Sequence, residues 1–154
     1  MTQILAVDPG KRTGIVLVHY SDDGPAHPVA SWDVPGGLEG WADWITEYQQ
    51  DAFIYSDFFI VYESFIPREG THGVGTDAPE VIGALLTWAK DWDVPAVPQS
   101  PAGRMKAVPN KVLDKFYPFR GKAERNEKEA FRHAVWYLKN AKHMPTIQKG
   151  WLDE

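Results

Sequence analysis

This sequence predicts an α/β fold: a mixed five-stranded sheet, a three-strand antiparallel meander plus two parallel strands, with helices on both faces. Three observations predict it. The first third holds three β-rich runs joined by tight turn signals, as in an antiparallel meander. Helix-period and strand-like segments then alternate, and each strand–helix–strand connection brings parallel pairing with it. Finally, the apolar run after the first helical segment is continuous rather than alternating, which suits a strand buried on both faces.

In chain order, Ile4-Leu5-Ala6-Val7 is the first strand, stopped by the turn signal Asp8-Pro9-Gly10. Gly14 to Tyr20 is the second, ending in Ser21-Asp22-Asp23-Gly24-Pro25. Val29 to Val34 is the third, closed by Pro35-Gly36-Gly37. Leu38, Trp41, Ala42, Ile45 and Tyr48 recur at three- and four-residue steps, so Leu38 to Gln50 is a helix. Phe58 to Tyr62 is the buried strand, ending at Glu63. Residues 64–76, rich in Gly, Pro, His and charge, are an exposed loop. Asp77 to Trp92 is a second helix, with Thr76 or Asp77 at its N-cap. Val94 to Val97 is a short strand between prolines. Pro101, Pro109 and Pro118 break the basic stretch 99–122 into short helices and loops. Glu124 to Asn140 is the clearest late helix, with Ala130, Phe131, Ala134, Val135 and Leu138 as its apolar stripe. The tail after Pro145 carries no strong signal.

At 154 residues and 44% hydrophobic composition, one domain over residues 1–154 is expected. With no cysteine there is neither a disulfide framework nor a thiolate zinc site. No apolar run approaches the length that crosses a bilayer, and no leader pattern opens the chain; the expectation is a soluble, cytoplasmic protein. The net charge of −5 is unevenly spread: residues 1–98 hold 4 Lys and Arg against 15 Asp and Glu, and residues 99–154 hold 12 against 6. An acidic front and a basic back point to a carboxylate site and a polyanionic partner, or simply to basic surface helices late in the chain.

Asp8 and Glu63 each close a strand. If those two strands are parallel neighbours, both carboxylates lie at one end of the sheet, where open α/β sheets carry their chemistry. Such a pair can hold a hard divalent cation, or it is two strand-end acids in water. A further acidic cluster, Asn126-Glu127-Lys128-Glu129, opens the late helix. Asn126, Glu129 and His133 share one face of it, while Glu127 falls on the apolar stripe with Phe131. First-turn acids are also common simply because the helix dipole favours them.

Three segments carry a resemblance. Asp8-Pro9-Gly10-Lys11-Arg12-Thr13-Gly14, Ile60-Val61-Tyr62-Glu63-Ser64-Phe65 and Glu129-Ala130-Phe131-Arg132-His133-Ala134-Val135 resemble, in order and approximate spacing, the motifs of RuvC-type Holliday junction resolvases in the RNase H-like superfamily. Short phage-encoded members match in style and length, and the likeness runs over residues 1–140. It implies a structure-selective endodeoxyribonuclease of DNA recombination and repair that works in the cytoplasm, the host's if phage-encoded. Four-way junctions, flaps and forks are the implied substrates, and a homodimer the implied assembly. It also implies Mg²⁺, with Mn²⁺ as substitute, held by Asp8, Glu63, Glu129 and Asn126. Two ions about 4 Å apart would activate a water and stabilise the leaving oxygen, Asp8 bridging them, Glu63 fixing one and Glu129 the other. The sequence departs from the pattern in two places. Glu129 stands where the family usually has Asp. Asn126 stands where it has Asp or His, which leaves Glu127 as a substitute ligand.

Lys11, Arg104, Lys106, Lys111 and Lys122 are candidate phosphate contacts, or solvated surface charges. Phe65, followed by Ile66, is a candidate wedge that stacks on an unpaired base at the branch, or a core residue. His133, one turn past Glu129, is placed for support of that acid or for proton transfer, and loop residue His72 to reach substrate or simply to be solvated. Trp41 with Trp44, and Trp88 with Trp92, read as packing residues. Rival readings are an RNase H-like nuclease acting on RNA or another nucleic acid, a catalytically impaired junction-binding module, and an actin-like ATPase. The last needs two such domains, and no Walker-type phosphate loop is present.

Overall fold

The structure, a computed structural model, describes residues 1–49, 57–65 and 75–152. Its sheet comprises β1 (Thr2–Asp8), β2 (Arg12–Ser21), β3 (Gly24–Pro35), β4 (Phe58–Glu63) and β5 (Ala96–Gln99) in the order β3-β2-β1-β4-β5. The first three strands form the antiparallel meander; β4 and β5 add in parallel to β1. Helices α1 (Gly37–Tyr48) and α2 (Asp77–Asp91) contribute to one apolar layer. Helix α5 (Arg125–Asn140), with the short α3 (Arg104–Ala107) and α4 (Asn110–Leu113), contributes to the other.

The period of two along each strand sorts the side chains between the layers. In β1, Leu5 and Val7 join the α1–α2 layer, whereas Ile4 and Ala6 join the α5 layer. In β2 the same split separates Ile15 and Leu17 from Val16 and Val18. Residues buried on both sides in this way explain why β1, β2 and β4 read as continuous apolar runs.

The structure departs from the sequence reading where prolines misled it. β3 begins at Gly24 rather than Val29 and runs through Pro25 and Pro28. It is an edge strand, where a missing N–H is tolerated, and the ladder shifts register between Leu17 and Val18, where Pro28 pairs. β5, the opposite edge, lies two residues later than expected and contains Pro98. The unsignalled tail is ordered: α6 (Met144–Ile147) leads into a π-helical turn over Gln148–Leu152. It is anchored by the Thr146 hydroxyl, which accepts the Ala26 N–H at 3.0 Å. The Gly150 backbone lies against Phe116 and Val112, close enough that a Cβ there would stand 3.0 Å from the Phe116 ring. Among the described residues no helix is long and apolar enough to cross a membrane.

Candidate functional site

The site follows from one row of residues across the sheet. Asp33 of β3 pairs with Gly14 of β2, Gly14 pairs with Asp8 of β1, and Glu63 of β4 pairs with Gln99 of β5. Val7 and Tyr62 are the last registered pair between β1 and β4, so Asp8 and Glu63, one residue further, stand side by side. Asp8 continues the alternation of Ile4 and Ala6, and Glu63 that of Val61, so both carboxylates face α5. The sequence placed two acids at one sheet end; the pairing of β1 with β4 puts them on adjacent strands and on the same face.

Helix α5 runs along this row. It comes so close to β2 at Gly14 that a Cβ there would stand 2.1 Å from the Asn126 carbonyl oxygen. Glycine is therefore required at Gly14 by close approach rather than by a special φ. One turn after another, α5 then presents Asn126, Glu129 and His133. The Asn126 amide donates to Asp33 Oδ1 at 3.4 Å, and Arg12 pairs with Asp33 at 3.0 Å. Glu129 accepts from two arginines: Arg104 Nε at 3.0 Å and Arg132 Nε at 3.3 Å. His133, fully buried, contacts Glu63 Oε2 through Nε2 at 2.8 Å.

The His133 tautomer is set from behind. With the Gln99 amide turned so that its nitrogen donates to His133 Nδ1 at 3.0 Å, its oxygen accepts the Tyr137 N–H at 3.2 Å, and both amide ends are satisfied. Nδ1 is then an acceptor, and Nε2–H donates to Glu63. Arg132 is the second buttress. Its side chain is 1% exposed, donates to Asn110 Oδ1 at 2.6 Å and to the Val108 carbonyl, and spans from the α3–α4 region to Glu129. Gln99, Arg132 and Asp33 were not singled out in the sequence. The only available signal for Arg132 was the proline-broken stretch before α5, which has to cover the helix face it occupies; His133, expected beside Glu129, contacts Glu63 instead.

Electrostatics separate the acids. Burial, then the nearby charges of Glu63 and Glu129, push the Asp8 carboxyl up to about 8. Burial would raise Glu129 as well, but Arg132 and Arg104 outweigh it and hold that carboxyl below its ordinary value. Glu127 is buried and is raised by that burial and by Asp33 and Glu124; it lies on the Asp33 side of the row, under the helix. No ion pair among the described residues involves Asp8. Nor do three His, Asp or Glu side chains there converge as a metal-binding group, because Glu63 is turned to His133 and Glu129 to the arginines. A buried acid kept uncharged first by its burial and then by two neighbouring carboxylates is nevertheless a fit for a cation, which would offset both causes at once.

The basic candidates surround this cluster in different ways. Arg104 belongs to it. Lys11 is exposed in the turn after Asp8, and Lys106, Lys111 and Lys122 are exposed along the segment that carries Arg104. Phe65, two residues past Glu63, is 36% exposed. Ile66 and His72 lie outside the described residues. Trp41 and Trp88 are buried, Trp44 stacks on Tyr48 with ring centroids 4.8 Å apart, and Trp92 is exposed.

No protein-family model matches the sequence, and no curated protein matches it. Solved structures do. RuvC of Thermus thermophilus in complex with a Holliday junction substrate superposes with a TM-score of 0.70 at 13% identity, over 94% of this chain and 98% of that one. The yeast mitochondrial Holliday junction resolvase Ydc2 gives 0.59 at 14% identity, over 96% and 83%. The fowlpox virus resolvase with its Holliday junction DNA gives 0.55 at 12%, over 89% and 99%. The chain therefore has the RNase H-like fold of these resolvases.

Proposed function

We propose that this protein is a divalent-metal-dependent endodeoxyribonuclease that cuts branched DNA, four-way junctions foremost. The observation that carries the reading is the pair Asp8 and Glu63, side by side on parallel strands and facing Glu129 on α5. The fold's solved examples, two of them with junction DNA in the structure, support the substrate. Asp8 and Glu63 are the residues that would hold Mg²⁺ or Mn²⁺, with Glu129 as the third acid facing them. Bound there, the metal supplies an activated water and a stabilised leaving oxygen for phosphodiester hydrolysis.

The chain's own groups prepare that site. His133 fixes the Glu63 carboxylate through Nε2–H, and Gln99 fixes His133, an arrangement that also orients metal ligands elsewhere. Arg132 holds the Glu129 rotamer from inside the protein. Lys11, Lys106, Lys111 and Lys122 offer exposed ammonium groups to phosphates. Phe65 offers a ring to an unpaired base at the branch. Asn126 contributes through Asp33 and the α5 N-terminus rather than as a charged ligand. Two copies of the chain would serve the two symmetric strands of a four-way junction.

The test uses labelled four-way junction and matched linear duplex, with Mg²⁺, with Mn²⁺ and with chelator, alongside Glu63→Gln. Paired nicks confined to the junction, dependent on metal and lost in the variant, are the expected result. Equal cutting of flaps and forks broadens the substrate to branched DNA. Tight junction binding without cutting under any metal overturns the nuclease and leaves a binding module.

A further inference from the structure

The two-ion expectation meets an obstacle in Glu129. Its Oε2 atom already accepts from Arg104 and from Arg132, and its Oε1 atom faces Arg132 Nη2 at 3.4 Å. The two guanidinium groups differ in kind. Arg132 is buried, donates to both Glu129 carboxylate oxygens, to the Val108 carbonyl and to Asn110 Oδ1, and serves as a fixed strut. Arg104 is 35% exposed and begins a four-residue helix just after Gly103, which sits at φ 81°. Its Nη1 is tied to the Pro101 carbonyl at 2.9 Å, so its Nε is presented to the acid cluster rather than swept into solvent. The residue that the resemblance would make a further acidic ligand is Asn126, and its amide is engaged with Asp33.

We infer that Arg104 is a built-in cation that takes the Glu129 side of the acid cluster, so that the site holds a single divalent ion, on the Asp8–Glu63 side. The inference rests on the nuclease reading and deepens it. A guanidinium is a permanent monocation with a fixed fork of donors, and at 3.0 Å from a carboxylate it occupies the position a second cation would need. A second divalent ion would have to displace it and accept the repulsion of the charge left beside it. Arg104 thereby sets the metal count and holds positive charge where a phosphate must come.

The experiment counts ions without DNA. Mn²⁺ binding is followed by calorimetry and by the electron paramagnetic resonance of free Mn²⁺ in the wild type, Arg104→Gln, Arg104→Lys, Asp8→Asn and Lys90→Gln. One Mn²⁺ per chain, lost in Asp8→Asn, is expected in the wild type. Arg104→Gln should bind a second Mn²⁺ at least tenfold more tightly than the wild type does. Arg104→Lys should restore the single site. Lys90→Gln, which removes the same charge at an exposed position near the end of α2, should behave as the wild type. Two Asp8-dependent ions of similar affinity in the wild type overturn the inference and leave the nuclease reading standing, as does an unchanged count in Arg104→Gln. No Asp8-dependent ion in any variant overturns both.

Discussion

At single residues, the acids and the groups that hold them have separable consequences. Without metal, the Asp8 carboxyl titrates at about 8 in the folded chain against 3.8 as its ordinary value. Between those values the folded chain binds a proton that the unfolded chain has released, so stability falls as pH rises from about 4 to about 8. Asp8→Asn removes the burden. In chelator at pH 8 it should stabilise the protein by about 2 kcal/mol, well under the full linkage value because relaxation and water penetration soften the burial of a charge, and raise Tm by about 4–8 °C. At pH 4 the two proteins should melt together, and Mg²⁺ should close the gap at pH 8. Asp8→Asn should also abolish cleavage while preserving junction affinity; equal melting at pH 8 in chelator would contradict the burial of this acid. Arg132 tests the opposite case. Arg132→Met leaves Glu129, Asn110 and the Val108 carbonyl short of a donor, and breaking a buried pair from one side costs about 3 kcal/mol or more. Urea unfolding should show that loss, and a loss under about 1 kcal/mol would demote Arg132 from strut to bystander.

Among the elements, the contact between α5 and β2 decides whether the site exists. Gly14 lets the α5 backbone touch the strand next to Asp8, and a methyl group there meets a carbonyl at 2.1 Å that no side-chain rotation can clear. Gly14→Ala must shift α5 away from the sheet, carrying Glu129 and His133 with it. It should cost about 3 kcal/mol, at the upper end for overpacking, and cleavage should fall further than stability alone explains. Cleavage at the wild-type rate by a folded Gly14→Ala would mean that α5 is not what completes the site. The same packing shows what was legible in the sequence. The strands buried on both faces, and the acids that end them, were readable because burial writes continuous apolar runs. The edge strands were blurred because Pro25, Pro28 and Pro98 argue against a strand except where one side of the ladder is open. His133 was marked by its spacing from Glu129, though its contact is Glu63; Arg132 was hidden for a related reason. α5 is buried on nearly every side, between the sheet and the segment that carries α3 and α4, so its polar residues do not mark a solvent face. Gln99 and Asp33 gain their meaning only from register, which a single chain does not spell out.

For the whole molecule, the charge distribution is the constraint. A protein of net charge −5 is repelled on average by DNA, so affinity must come from where its cations sit. Lys106 and Lys111 follow Arg104 on α3 and α4, Lys122 precedes α5, and Lys11 lies in the turn beside Asp8. If these ammonium groups meet phosphates, each releases counterions, and the logarithm of junction affinity falls with the logarithm of salt by about 0.9 per contact. Replacing all four with Gln should therefore flatten that slope by about three to four while leaving the fold intact, since all four are exposed. Single replacements should each remove roughly one unit of slope and weaken junction and linear duplex alike, because a phosphate contact positions without reading shape. Selectivity for the branch must then survive in the quadruple variant as a ratio, carried by the site row and by Phe65. Binding titrations from about 50 to 200 mM salt, the range over which six or more contacts lower affinity about a thousandfold, measure both quantities at once. An affinity indifferent to salt, or a slope unchanged in the quadruple variant, would place the DNA on some other face of the molecule.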